Sequence, residues 1–560
     1  MSIPAQTDVV ILGGGLAGLT LSLQLRQRFA DLTIIVLERS RHPVREAAHK
    51  VGESSVEIGA HYFDTVLGLG EHLRENQLRK FGFRFFFSEG RRDLDQVVEL
   101  GASQYLSTPS YQLDRGIFEN YLAQRAASLN IRFVDGATVR DFTLDDQGGA
   151  HEVVFEHEGA EHRVGARWVV DASGRAGLIK RRRGLAEQNE HDANSIWFRM
   201  SSRIDVDAWS HDAAWLARCD PPDRWLSTNH LCGEGYWAWL IPLSSGSHSV
   251  GIVADAKLHP LGTMNSFDKA MTWFREHQPR LADELEGRRG ELQDFIALRR
   301  FSYGCKQVFS GERWALTGEA GLFLDPFYSP GSDFIAISNT YITELIAKDL
   351  AGESIGPYAR FYEQFYFSFY RSTLSLYTDQ YALFGDPEVM PTKVIWDYTY
   401  YWGVLCQLFF QHRLTDLTMM GRLRGELTSS MDLNFAMQRF MRAWSGVTEK
   451  RNPAVMLDQA SLDWFAELNR GLRDPLDDAG FKVRLRETTA QLRELALEIV
   501  QRARAEHPEL DAAEVLGILG AAGIREGGAA GTAGRPSMLF APFESSKNIT
   551  ERRAEDIAVA

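Results

Sequence analysis

Asp8–Gly18 reads DVVILGGGLAG, and the order of residue types in it decides the fold. Asp8–Leu12 (DVVIL) is an apolar run of the kind that forms a strand buried in a parallel sheet. Gly13–Gly18 (GGGLAG) then supplies a GxGxxG turn, and Leu19, Leu21, Leu23 and Leu25 follow in what reads as an amphipathic helix. Gly13 permits the tight turn, Gly15 lets the backbone approach a pyrophosphate, and Gly18 lets helix and strand pack closely. With Leu16 and Ala17 at the helix start, free N–H groups face the anion. A second apolar run, Leu32–Leu37, ends in Glu38, an acid at a strand tip where ribose hydroxyls can donate to it. These features predict one dinucleotide site and leave NAD and FAD both open, since each binds such a turn. No second GxGxxG follows a strand later in the chain.

The composition sets the outer bounds. The chain has 560 residues, 44% hydrophobic and 24% charged, which excludes a disordered tail, a disulfide scaffold or a collagen-like repeat and suggests several domain-sized units. Its net charge of −14 argues against a nucleic-acid partner, and Lys180–Arg183 (KRRR) is too short a basic patch to reverse that. Cys219, Cys232, Cys305 and Cys406 form no CxxC pair, so neither a metal site nor a disulfide framework is predicted. MSIPAQTDVVILGGG has no charged segment before an apolar one, which predicts residence in the cytoplasm. Val394–Phe410, the most lipophilic window, is interrupted by Asp397 and Gln407 and reads as a buried helix or pocket lining, with no membrane span expected.

Three further segments resemble the flavoproteins of the p-hydroxybenzoate hydroxylase class. They are YQLDRGIFENYL with Asp114, Arg115 and Phe118; WVVDASGR (Trp168–Arg175) with Asp171 and Gly174; and WALTGEAG (Trp314–Gly321), where Glu319 stands for the usual Asp. The resemblance implies FAD, with Arg115, Asp171 and Glu319 as cofactor contacts.

Two motifs resemble those of the flavin-dependent halogenases. WAWLIP (Trp237, Trp239, Ile241, Pro242) fits WxWxIP, and FLDPFYSPG (Phe323, Pro326, Ser329, Gly331) fits FxxPxxSxG. After VGESS (Val51–Ser55), Lys80 in LRKFGFRFF falls where that family keeps its catalytic lysine. The resemblance implies an FADH2-dependent enzyme, served by a separate flavin reductase, that makes hypohalous acid from a flavin C4a-hydroperoxide and chloride or bromide. It further implies that Lys80 delivers the halogen, that Ser329 orients that lysine or a substrate proton, and that Gly331 with Ser332 binds the halide. Trp237, Trp239, Ile241 and Pro242 are expected to divide flavin from substrate. Tyr328 stands where tryptophan halogenases carry the Glu that takes the substrate proton, which disfavours free tryptophan and makes Tyr328 a substrate-contact candidate. Pro330 removes one N–H beside the halide position. An electron-rich aromatic or conjugated substrate follows, either a small molecule or one tethered to a carrier protein. The alternative is an FAD-dependent monooxygenase or reductase without halide chemistry.

From about Leu350 the pattern is helical, with Gly385, Pro387, Pro391 and Pro453 as breakers. Leu485, Leu492, Leu495 and Ile499 mark one amphipathic helix. Phe361–Tyr370 and Ile395–Trp402 are aromatic enough to line a channel for an aromatic or polyene substrate, or to pack a core. The predicted fold is α/β: a three-layer Rossmann-like FAD-binding domain from 1–180 and 300–350, an inserted antiparallel β substrate region at 181–299, and a mainly helical region at 351–525. A flexible linker and tail occupy 526–560, with Leu539, Phe540 and Phe543 available to dock.

Overall fold

The computed structural model describes residues 3–46, 51–524 and 536–543. In chain order the first half carries β1 (Gln6–Leu12), α1 (Leu16–Arg28), β2 (Ile34–Glu38), α2 (Glu57–His61), β3 (Phe83–Phe86), β4 (Glu99–Gly101), α3 (Arg115–Ser128), β5 (Arg132–Asp135), β6 (Thr138–Thr143), β7 (His151–His157) and β8 (Ala160–Asp171). Next come β9 (Ala193–Met200), β10 (Thr228–Gly233), β11 (Tyr236–Pro242), β12 (His248–Asp255), β13 (Leu292–Leu298) and β14 (Trp314–Leu316). The remainder adds α4 (Gly331–Leu350), α5 (Gly356–Leu374), α6 (Val389–Tyr400), α7 (Leu417–Ser445), β15 (Met456–Asp458) and α8 (Asp478–Glu506).

The first sheet runs β5-β2-β1-β8-β7-β6, with β14 also on β8. β1 lies parallel to β2 and to the second half of β8, with Val9, Val10, Ile11 and Leu12 fully buried, as the DVVIL run requires. The helix α1 departs from its amphipathic reading. Thr20 and Ser22 are buried along with its leucines, because α3 and α4 cover the side the sheet leaves open. The two hydroxyls tolerate this by bonding back to the carbonyls of Leu16 and Leu19.

The second sheet has eight strands in the order β13-β9-β12-β11-β10-β3-β4-β15. It is larger than the 181–299 region from which it was expected. β3 and β4 come from within the predicted 1–180 unit, and β15 comes from the helical region. Phe83–Phe86 is an all-buried strand that adds in parallel to Thr228–Leu231, and such a strand fits either sheet by pattern alone.

The helical region packs on both units. Leu485, Leu492, Leu495 and Ile499 are the buried face of α8. Pro391 does not break a helix. It sits in the first turn of α6, where no intrahelical N–H bond is lost. In 536–543 the Leu539 side chain is buried, and the carbonyls of Phe540 and Phe543 accept from Arg502 and Arg451. The expected linker at 526–535 and the tail beyond 543 lie outside the described residues. Among the described residues no helix is long and apolar enough to cross a membrane.

Candidate active site

One large cavity opens where the first sheet meets the second. Gly15, Leu16, Ala17, Arg115, Glu319, Trp237, Trp239, Ile241, Ser329, Gly331 and Ser332 all line it, so most of the residues singled out in the sequence converge there. The glycine turn fits a dinucleotide. Gly13 has φ +118°, and a Cβ there would stand 2.3 Å from the Ala172 carbonyl oxygen, while one at Gly18 would stand 2.0 Å from that of Gly13. Among the described residues a Cβ on Gly15 would meet only Glu119 Oε1 at 3.9 Å, which leaves that side open for a ligand to approach. Gly14 also matters: a Cβ would strike Phe133 at 2.6 Å and Glu38 at 2.7 Å. Glu38 accepts from the N–H groups of Gly14 and Ser40, both at 2.7 Å, which fixes its carboxylate beside the turn. Arg115 opens α3, anchored on the Val51 carbonyl at 2.7 Å and on Glu119.

Three expected roles need correction. Asp171 does not reach the cavity: its oxygens accept from Ser173 N–H and Oγ–H and from the Ile179 N–H, so it shapes the turn whose residues Ala172, Gly174 and Arg175 line the space. Pro242 pairs with His248 at the far end of β11 and is not part of the wall. Ser329 is not the described partner of Lys80. That amine donates to Ser54 Oγ at 2.9 Å and to the Ser55 carbonyl at 3.1 Å, with Nζ 3.3 Å from the Phe83 ring centre.

Lys80 is 4% exposed. Burial drives its amine well below the ordinary lysine value, against the opposing pull of Glu57 and Asp333. Ser54 lines the large cavity and pairs with Thr228, another of its wall residues, at 3.0 Å, so a short hydroxyl chain joins the lysine to that wall.

The segment 328–330 divides two spaces. Ser329 faces the large cavity, Tyr328 faces a second, aromatic cavity, and Pro330 touches both. Tyr328 and Ser329 have φ of 64° and 53°, a costly left-handed pair for non-glycine residues that sends their side chains to opposite sides. The second cavity is lined by Phe83, Tyr377, Asp397, Tyr398, Tyr400 and Tyr401 among others. Of the two aromatic runs, Ile395–Trp402 therefore supplies the lining, whereas Tyr362, Tyr366 and Tyr370 are buried core. Tyr328 donates to Asp397 at 2.9 Å, and Asp397 is held by Lys393 and Gln438, both at 2.7 Å.

The α4 helix begins at Gly331 behind Pro330, so the Gly331 and Ser332 N–H groups start the helix with no intrahelical acceptor. Asp333 follows. It accepts from Gly59 N–H at 2.8 Å and Tyr401 O–H at 2.7 Å, and burial lifts its carboxyl to about 8.

Sequence reasoning missed a network behind the tryptophans. Trp237 Nε1 donates to Tyr381 at 3.0 Å, Tyr381 donates to Asp325 at 2.6 Å, and His191 Nε2 lies 2.6 Å from the same Asp325 oxygen. The only signal was Asp325 inside FLDPFYSPG. Ser54 was likewise visible only as part of VGESS.

An FAD binding domain family matches residues 6–261. The flavin-dependent halogenase chlA of Dictyostelium discoideum is 26% identical over 469 residues, covering 76% of each chain. A 1H-pyrrole-2-carbonyl-(peptidyl-carrier protein) brominase of Pseudoalteromonas luteoviolacea (strain 2ta16) is 26% identical over 331 residues, 58% of this chain and 74% of the relative. The crystal structure of halogenase PltM in complex with phloroglucinol and FAD shares the fold with a TM-score of 0.60 at 17% identity, over 92% of this chain and 98% of that one. Residues 6–261 carry an FAD-binding domain, and the chain is similar to flavin-dependent halogenases in sequence and fold.

Proposed function

We propose that this protein halogenates a hydroxylated, electron-rich aromatic substrate, with chloride or bromide taken up at the N-terminus of α4 and the halogen delivered through Lys80. Reduced FAD, supplied by a separate reductase, provides the oxidising capacity with oxygen when bound. Gly13, Gly15, Leu16, Ala17 and Gly18 hold its pyrophosphate, Glu38 its ribose, and Arg115 and Glu319 its far end.

The observation that carries this reading is the buried Lys80 amine, bonded to a serine of the cofactor wall yet facing the other side of the partition. A halide at the Gly331 and Ser332 N–H groups sits on the positive end of a 20-residue helix. Asp333 in that first turn, raised to about 8, carries little negative charge near neutral pH to repel it. Trp237, Trp239 and Ile241 close the cofactor side, so hypohalous acid leaves toward Lys80, where a partly neutral amine accepts it by hydrogen bond or as a haloamine.

The substrate belongs in the aromatic cavity, where Tyr398, Tyr400 and Tyr401 offer ring faces and hydroxyls. Its ring-lined walls suit a free aromatic molecule better than a carrier-bound chain, and PltM's complex with phloroglucinol is in keeping with that.

Mass spectrometry of hydroxylated aromatics incubated with the enzyme, a flavin reductase, NADH and bromide or chloride tests the reading. Halogenated product is expected and should fall by about 10²–10⁴-fold in Lys80→Ala while flavin oxidation continues. Oxygenated product formed without halide would favour a monooxygenase, the outcome that Pro330 at the helix cap supports. Product only from carrier-bound substrates would overturn the free-substrate assignment.

A further inference from the structure

Two cavities meet beyond the 328–330 partition. The aromatic one shares Val56, Phe83 and Tyr398 with a smaller, more enclosed space lined by Glu57, Lys80, Thr108 and Ser110 among others. Three carboxylates face this pair: Asp333 and Asp397 in the first, Glu57 in the second. Both oxygens of Asp333 are engaged, by Gly59 and Tyr401, and both of Asp397, by Gln438 and by Tyr328 with Lys393. Glu57 differs. It is 4% exposed, yet its Oε2 has no hydrogen-bond partner among the described residues.

A buried polar atom left unpaired costs about 1–3 kcal/mol, and such an atom in a native fold calls for a reason. The Trp402 indole N–H and the backbone N–H of Glu57 itself both favour the charged carboxylate, but neither meets hydrogen-bond geometry at Oε2. The local chain explains the placement. Glu57 opens α2 two residues after Ser55, whose carbonyl, with the Ser54 hydroxyl, holds Lys80, so one short segment fixes both groups around one enclosed space.

We infer that Glu57 is the general base that removes the ring proton from the halogenated substrate, an assignment that rests on the halogenase reading above. The overall change is Ar–H + HOX → Ar–X + H2O. A ring π pair forms the C–X bond, and the O–X bond breaks with its electrons on oxygen, which takes a proton from the Lys80 ammonium and leaves as water. The C–H pair then returns to the ring as the proton passes to Glu57 Oε2. Transfer of that proton from Glu57 to Lys80 restores both. The electrostatics suit a shared proton: burial raises the Glu57 carboxyl and lowers the Lys80 amine, and each charge steadies the other. Tyr328 is no rival, because its hydroxyl is already donated to Asp397.

The test uses resorcinol and ring-deuterated resorcinol with the full-length enzyme, bromide, a flavin reductase and NADH, comparing wild type, Glu57→Gln and Glu57→Asp. Bromoresorcinol formed per bromide-dependent oxidation of reduced FAD should fall at least about 100-fold in Glu57→Gln. The deuterium isotope effect on bromination should rise from near unity to a primary effect, with Glu57→Asp recovering much of the rate. An unchanged yield, or a slow Glu57→Gln whose isotope effect stays near unity, overturns the assignment alone. A wild type that brominates no resorcinol, whatever the variants do, overturns the halogenase reading and this role with it.

Discussion

Lys80 shows how much a single side chain depends on its surroundings. Its position in LRKFGFRFF marked it as a candidate, but its partners, Ser54 and Ser55, stand 26 and 25 residues away. No local spacing rule links them, so the expectation that Ser329 would orient the lysine had nothing in the sequence to correct it. Asp171 went astray for a related reason: an acid at a strand end serves a ligand or its own turn equally well, and only the Ser173 and Ile179 hydrogen bonds separate the two. Asp333 gives a prediction at this scale. Its carboxyl lies at about 8 in the folded chain against an ordinary 3.8, so the native state holds the proton more tightly. The stabilisation this brings is complete below pH 3.8 and is lost as pH rises toward and through about 8. Asp333→Asn, which cannot ionise, should therefore gain on wild type as pH rises from about 4 to about 8. The difference should reach a few kcal/mol, because each pH unit between the folded and unfolded values is worth about 1.4 kcal/mol. Thermal melting of both proteins across that range checks it, and a constant gap would contradict the assignment.

Elements explain what the motifs could only mark. The β1 strand, the glycine turn and β2 were legible because a buried parallel strand and a dinucleotide turn each need a particular run of residue types. The β3 strand was placed in the wrong unit, since an all-apolar strand fits any buried sheet position. WAWLIP was visible as a motif, but the way it is held was not. Trp237 is fixed through Tyr381, a residue of the helical region, onto Asp325 of the other motif. Tyr381→Phe leaves the buried indole N–H unpaired and should cost about 1–3 kcal/mol of stability. On the proposed function, in which Trp237 helps to divide flavin from substrate, it should also raise the share of reduced FAD that ends in hydrogen peroxide instead of halogenated product. Denaturant unfolding and a peroxide assay check the two effects, and unchanged peroxide release would confine Tyr381 to packing.

The whole molecule arranges two spaces on either side of one strained segment. The first sheet, with α1 and α4, presents backbone N–H groups at two helix ends, one beside Gly15 and one at Gly331. The second sheet contributes the tryptophan wall and, through β3, Phe83 beside Lys80. The helical region closes the aromatic cavity with Tyr398, Tyr400 and Tyr401, and this docking was illegible because helix periodicity gives a buried face without its partner. In the proposed function halide is oxidised on one side of 328–330 and used at Lys80 on the other. Its most direct test is to mix the anaerobically reduced FAD complex with oxygen, with and without bromide, and follow flavin reoxidation by stopped-flow absorbance alongside bromination of a phenolic probe. Bromide-dependent kinetics and probe bromination are expected in wild type, with Lys80→Ala retaining the bromide dependence and losing the brominated probe. Reoxidation indifferent to bromide, with no brominated probe, would contradict the proposed function.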